Sequence, residues 1–213
     1  MQEVEKKERI KRIISLLKKT YPKSKTTLRF KTPMHMLVST ILSAQCTDER
    51  VNKVTATLFK KYKTAKDFAR ADRQVFEGEI HSTGFYKSKA KNIIATAQTI
   101  DKDFKGNVPD TMEELLTLSG VARKTANVVL HNAFGKVEGV VVDTHVRRLT
   151  KRLGLTKNED PVKIEQDLMG LLPKTDWGVI SYLLIDHGRK VCKAINPDHD
   201  RCVLRIICPS RDI

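Results

Sequence analysis

The 213-residue sequence predicts an all-α protein, and three observations predict it. Apolar residues recur at helical spacing in one segment after another, start and stop signals bracket the segments, and no long stretch alternates apolar and polar residues. Val137 to Val142 is the one candidate strand, too short and unpaired to make a sheet. The length allows one large domain or two small ones. Forty Lys plus Arg against 25 Asp plus Glu leave a net charge of +15. That surplus points to a polyanionic partner whose affinity falls with salt, although a merely soluble basic protein carries the same sign.

The elements follow in order. Glu5 to Tyr21 places Ile10, Ile13, Ile14 and Leu17 on one face, an amphipathic helix. Thr32-Pro33 supplies a cap and a first-turn proline for a helix through Leu42, ending at Ser43-Ala44-Gln45-Cys46. Thr47 or Asp48 caps the next, with Val51, Val54, Leu58 and Phe59 inward. Two short helices follow near Thr64 to Arg70 and Asp72 to Gly78. A sharp turn at Gly84 then precedes a long helix from about Tyr86 to Phe104. Lys87, Lys89 and Lys91 on it suit phosphate tracking or a solvated face equally. Asp143-Thr144 caps a helix closed by Gly154, Asp160-Pro161 starts another, and a last one runs from Trp177 to about Arg189.

The segment Thr111 to Arg148 carries the most chemistry. Thr111 and Glu114 have capping-box spacing for a helix from Met112 to Leu118 with Leu115, Leu116 and Leu118 inward. Ser119-Gly120-Val121-Ala122 breaks it, and a second helix runs from Arg123 to Gly135. Backbone N–H groups at such a turn lack intrahelical partners and can hold a phosphate beside Arg123 and Lys124. An ordinary αα-hairpin has the same local pattern.

Nothing at the N-terminus resembles a signal peptide, and no apolar run reaches the roughly 18 residues of a membrane span, so a cytoplasmic, nucleoid-associated and monomeric protein is expected. Three of the four cysteines lie in the last 22 residues, a pattern that suits a metal site better than disulfides.

LSGVARKTANVVL followed by VVVDTHVRR resembles the helix-hairpin-helix DNA glycosylases of the endonuclease III family. The family's usual hairpin is LPGVGRKTA, so Ser119 stands where proline is common and Ala122 where glycine is common. Because glycine there permits positive φ or close phosphate approach, a weaker grip on DNA through Gly120, Val121, Ala122 and Arg123 is expected. LSAQCTD resembles the family's LSAQ-x-TD, which implies that Gln45 enters the space left by an extruded nucleotide; a plain helix-ending glutamine is the other reading. Phe85 matches the position of an apolar wedge, or is a core residue. Cys46 reads as a buried small residue.

The resemblance implies an amine at Lys124 that attacks C1′ as a damaged base leaves, with Asp143 stabilising the developing sugar cation and assisting proton transfer. A phosphate contact for Lys124 and a helix N-cap for Asp143 are the plainer readings, and a position in the first turn of a helix favours the neutral amine. His145 reads as structural or phosphate-facing. Oxidised pyrimidines and abasic sites in duplex DNA, in a prokaryotic setting, are the implied substrates, with β-elimination cutting the strand. A monofunctional glycosylase for mismatched or alkylated bases and a non-catalytic DNA-binding or redox-sensing relative are the alternatives.

Cys192, Cys202 and Cys208 match three thiolates of the family's C-x6-C-x2-C-x5-C loop, and His199 holds the second position at unchanged spacing. The implied cofactor is a 4Fe-4S cluster with one histidine ligand, since imidazole can ligate cluster iron. A 3Fe-4S cluster, zinc on three cysteines and a histidine, and a metal-free loop remain as alternatives. Lys193 and Arg201 on this loop, with Lys190 and Arg205, would face DNA. The resemblance further implies a six-helix barrel lobe at 26–137 and an iron-sulfur cluster lobe at 1–25 plus 138–213, with the cluster loop at 192–208 and a DNA cleft between them.

Overall fold

The structure, a computed structural model, describes residues 2–211, with side chains from Val4 onward. The expected cluster lobe extends to residues 1, 212 and 213, which lie outside the described residues. The protein is all-helical, with no strand among the described residues. It divides into two compact units, Thr27–Lys136 and Met1–Thr26 with Val137–Ile213.

In the unit Thr27–Lys136 the chain forms α2 (Pro33–Leu42), α3 (Asp48–Lys61), α4 (Ala65–Ala69), α5 (Arg73–Ile80), α6 (Tyr86–Asp103), α7 (Met112–Leu116) and α8 (Arg123–Phe134), after α1 (Gln2–Thr20) of the other unit. Thr32 accepts from the His35 N–H at 3.2 Å to start α2, and Thr47 accepts from the Arg50 N–H at 3.3 Å to start α3. α2 is buried from Met34 to Leu42, so it is the buried axis of the unit, with Met36, Leu37, Val38 and Leu42 fully covered. It packs on α8, α3 and α6. Tyr62, Phe68 and Phe76 form one aromatic cluster, their centroids 5.2 to 6.1 Å apart, which closes the core under α4 and α5.

α7 is shorter than its apolar pattern predicts. Leu115 and Leu118 are buried, but Leu116 is 44% exposed, because the helix stops at Leu116 and only one of its faces meets the core. The Thr111 hydroxyl accepts from the Glu114 N–H and donates to the Glu114 carboxylate, so that carboxylate is bound to the cap side chain. Gly135, at φ 67°, ends α8 as predicted.

The second unit holds α1, α9 (Thr144–Arg152), α10 (Pro161–Leu171) and α11 (Lys174–Lys190). Ile10, Ile13 and Leu17 of α1 meet Leu149, Ile164, Leu168, Ile180 and Leu184 in one core. Val137 to Val142 forms no strand. Val140 and Val142 point into this core, and the Val141 carbonyl accepts from the Ser181 hydroxyl at 2.7 Å, so burial explains the alternation. α11 starts three residues before Trp177, after Pro173, with no side-chain cap to mark it in sequence.

Candidate functional site

In the unit Thr27–Lys136, three loops that carry predicted site residues are fastened to one stripe of α6. Lys89, Asn92 and Thr96 sit at i, i+3 and i+7 of that helix. Lys89 is 5% exposed, unlike its neighbours Lys87 and Lys91, so the reading of all three as surface cations is corrected at its middle member. Its Nζ donates to the Leu42 carbonyl and to the Thr83 carbonyl, both at 2.8 Å. Burial pushes its pKa down, and Cys46 acts the other way.

Gln45 and Phe85 lie just beyond those two carbonyls. Both are exposed, and both adopt left-handed backbone, φ 52° and 50°, without being glycine. Phe85 is 65% exposed, which removes the core reading, and it forms the N-cap of α6 without a side-chain cap bond. Cys46 is half-buried rather than enclosed.

Asn92 and Thr96 hold the hairpin. The Ser119 hydroxyl donates to Asn92 Oδ1 at 3.2 Å, and the Ser119 carbonyl accepts from the Thr96 hydroxyl at 2.7 Å. Gly120 has φ 73°, and a Cβ there would stand 2.6 Å from Asn92 Nδ2, so both conformation and space require glycine. Ala122 has φ −92° and ψ 169°, ordinary extended backbone. The expectation that alanine strains this position through positive φ is therefore corrected, since the left-handed residue of the turn is Gly120. Ala122 provides no side-chain cap to α8, which has Arg123 at its first helical position and Lys124, exposed, at its second.

Asp143 belongs to the other unit. Its Oδ1 accepts from the Val146 N–H at 2.8 Å, so it is the N-cap of α9. His145 is half-buried with Nδ1 3.3 Å from Arg148 Nη2, and burial lowers its pKa against the pull of Asp143. A Cβ at Gly188 would come within 3.0 Å of both side chains, so α9 and α11 meet closely there and His145 is a packing residue.

α9 also holds the C-terminal loop. Arg148 Nη2 donates to the carbonyls of Gly188 and Cys192 at 3.0 and 2.9 Å. Arg152 donates to Cys192 Sγ at 3.2 Å, to the Lys193 carbonyl at 2.7 Å and to the Ala194 carbonyl at 3.0 Å. Cys192, His199, Cys202 and Cys208 line one recess with Arg152, about 360 Å³ including its open mouth. Among the described residues no three such side chains close on one point as a lone ion requires; the four line the walls. Burial raises the pKa of the Cys202 and Cys208 thiols, and His187 Nε2 lies 3.5 Å from Cys202 Sγ. Burial also pushes His187 down to about 4, keeping it neutral, and its Nδ1 meets the Tyr21 hydroxyl at 3.1 Å. Lys193 and Arg201 are exposed, and Arg201 lies 3.6 Å from Asp198 Oδ2. Lys89, Asn92, Thr96, Arg148 and Arg152 were not predicted as supports of these loops; nothing in their local sequence distinguishes them from surface polar residues.

Comparison with known proteins places this arrangement. Residues 38–174 match the family profile of the HhH-GPD superfamily base excision DNA repair proteins. The chain is 57% identical to an endonuclease III of Synechocystis sp. over 205 residues, covering 96% of this chain and 94% of that one. It is 44% identical to an endonuclease III of Bacillus subtilis over 189 residues, covering 88% and 86%. Structurally it is similar to a non-covalent endonuclease III–DNA complex and to a trapped endonuclease III–DNA covalent intermediate, each with TM-score 0.92, 38% identity and 96% of both chains covered. No helix among the described residues is long and apolar enough to cross a membrane. The chain belongs to the endonuclease III family of base excision DNA repair proteins.

Proposed function

We propose that this protein is a bifunctional DNA glycosylase and abasic-site lyase that removes oxidised pyrimidines from duplex DNA through a Schiff base on Lys124. One observation carries the reading. Lys124 stands exposed in the first turn of α8, directly after the Gly120 hairpin, in a chain 38% identical over 96% of its length to an endonuclease III trapped covalently on DNA.

The roles follow from the local chemistry. The hairpin from Gly120 to Arg123 takes a backbone phosphate on the uncapped N–H groups of α8, which fixes register without reading sequence. Gln45 and Phe85 enter the duplex, the glutamine amide meeting the orphaned base and the ring filling the opened step. The neutral Lys124 amine attacks C1′ as the C1′–N bond breaks and the base leaves with the electron pair, taking a proton. The C1′–O4′ bond then breaks and O4′ takes a proton, which opens the sugar ring and gives the iminium. Its C2′ proton is removed and the 3′ phosphate departs, which cuts the strand; hydrolysis then frees the lysine. Val146 fixes Asp143 by occupying Oδ1, and Oδ2 is the oxygen assigned to the sugar cation and to proton transfer.

The cofactor that fits the C-terminal recess is a 4Fe-4S cluster held by Cys192, His199, Cys202 and Cys208. Three thiols and an imidazole line one recess, and Arg152 already donates to one sulfur, as a charged thiolate would require. When bound, the cluster supplies folding energy and a fixed loop. Lys193 and Arg201 then present positive charge to DNA phosphates.

The experiment is product analysis on a duplex carrying one thymine glycol. Free base and the β-elimination strand product are expected in equal amounts from the native chain. Base release without cutting would support the monofunctional alternative instead.

A further inference from the structure

We propose that Lys89 is a positioning residue for base extrusion, one ammonium that holds the Gln45 loop and the Phe85 loop at fixed spacing so that both enter the duplex as a unit. The inference rests on the glycosylase reading and adds a residue to it. The Leu42 carbonyl is one of the last of α2, and the N–H four residues on, at Cys46, is given to the Ser43 carbonyl instead. Lys89 therefore satisfies an orphaned helix-end acceptor, where a cation also suits the helix dipole. Its second bond goes to Thr83, whose hydroxyl donates to the Ile80 carbonyl, one residue before the Gly84 turn.

The two loop tips explain why such a tie is present. Gln45 and Phe85 both hold left-handed backbone despite their side chains, a conformation that persists only where the surroundings impose it. Each lies within three residues of a carbonyl held by Lys89. A buried ammonium is a poor device for stability, since an apolar side chain of similar volume packs as well without the desolvation cost. What it supplies is two directed bonds from one atom to two separate loops. Asn92, one turn along α6, fastens the hairpin, so the phosphate grip and the two probes share one rigid support.

The test compares the native chain with Lys89→Met, Phe85→Ala and the double variant. Substrates are duplexes bearing thymine glycol or a preformed abasic site, with 2-aminopurine beside the lesion. An abasic site has no base to unstack, so Lys89→Met is expected to lower thymine glycol excision roughly tenfold more than abasic-site cleavage. The 2-aminopurine fluorescence rise should be lost as well. Because the lysine acts through the probes, the double variant should be little worse than Phe85→Ala alone. Equal loss on both substrates, additive effects, or no change in excision would overturn the proposal. Lys89→Gln, which retains a donor for one carbonyl, carries the same comparison if Lys89→Met does not fold. A native chain that releases no base and forms no borohydride adduct on either duplex would instead remove the glycosylase reading itself.

Discussion

Two sets of loops in this protein are held in the same way but completed differently. In the unit Thr27–Lys136, Lys89 ties two backbone carbonyls together; in the other unit, Arg148 and Arg152 tie four, those of Gly188, Cys192, Lys193 and Ala194. Around Lys89 the protein is complete, with an apolar core beneath and carbonyls satisfied. Around Arg152 three thiols and an imidazole line a recess, two of the thiols kept neutral by burial. Cations bound to carbonyls suffice to hold a loop that rests on a helix core, whereas a loop with few buried apolar side chains needs a further group. In 192–208 only Leu204 is buried among the large apolar side chains, and Ile195 and Ile206 are 79% and 87% exposed.

The largest expected effect separates the two units. Cys202→Ala should lose bound iron and sulfide and lower the melting of the unit that contains α11 by roughly 5 °C or more, while the Thr27–Lys136 unit keeps its transition. Calorimetry checks this, and a single unchanged transition would break the contrast. Next comes Gly120→Ala, which places a side chain against Asn92 at positive φ. A cost of about 2 kcal/mol is expected by urea titration, together with weaker duplex binding.

The pH dependence is smaller. His35 is buried and stacked on Phe59 at 3.9 Å, and burial holds its pKa below the ordinary value, with Lys31 acting the same way and the Tyr62 backbone opposing. The unfolded chain then binds more protons, so stability is full above the unfolded pKa near 6.5 and declines as pH falls below it. Urea midpoints should drop between pH 7 and pH 5, less steeply in His35→Leu; His131, His145 and His187, lowered by burial as well, leave a residual slope. The smallest effect is Ala122→Gly. With φ at −92° glycine relieves no backbone strain, so duplex affinity should stay within about twofold and stability should fall by about 0.5 kcal/mol.

Much of the fold was legible because capping is local. Thr32, Thr47, Asp143 and Asp160 cap the helices they were predicted to cap, and Gly135 and Gly154 end them with positive φ. What was not legible depends on tertiary partners. Lys89 sits between two exposed lysines, and only the carbonyls of Leu42 and Thr83, distant in sequence from each other, make it a buried residue. Leu116 follows the helical pattern, yet α7 presents only one face to the core. At Ala122 the motif's second glycine suggested positive φ, while the turn places that demand on Gly120. The spacing of Cys192, His199, Cys202 and Cys208 was readable in the sequence, and the four line one recess.

The claim at the centre of this account is that the Lys124 amine bonds to the sugar. Borohydride trapping on a thymine glycol duplex, comparing the native chain with Lys124→Ala, tests it most directly. A covalent protein–DNA adduct that forms with the native chain and vanishes in the variant is the predicted result. An adduct that persists in Lys124→Ala, or base release by the native chain with no adduct at all, would contradict it.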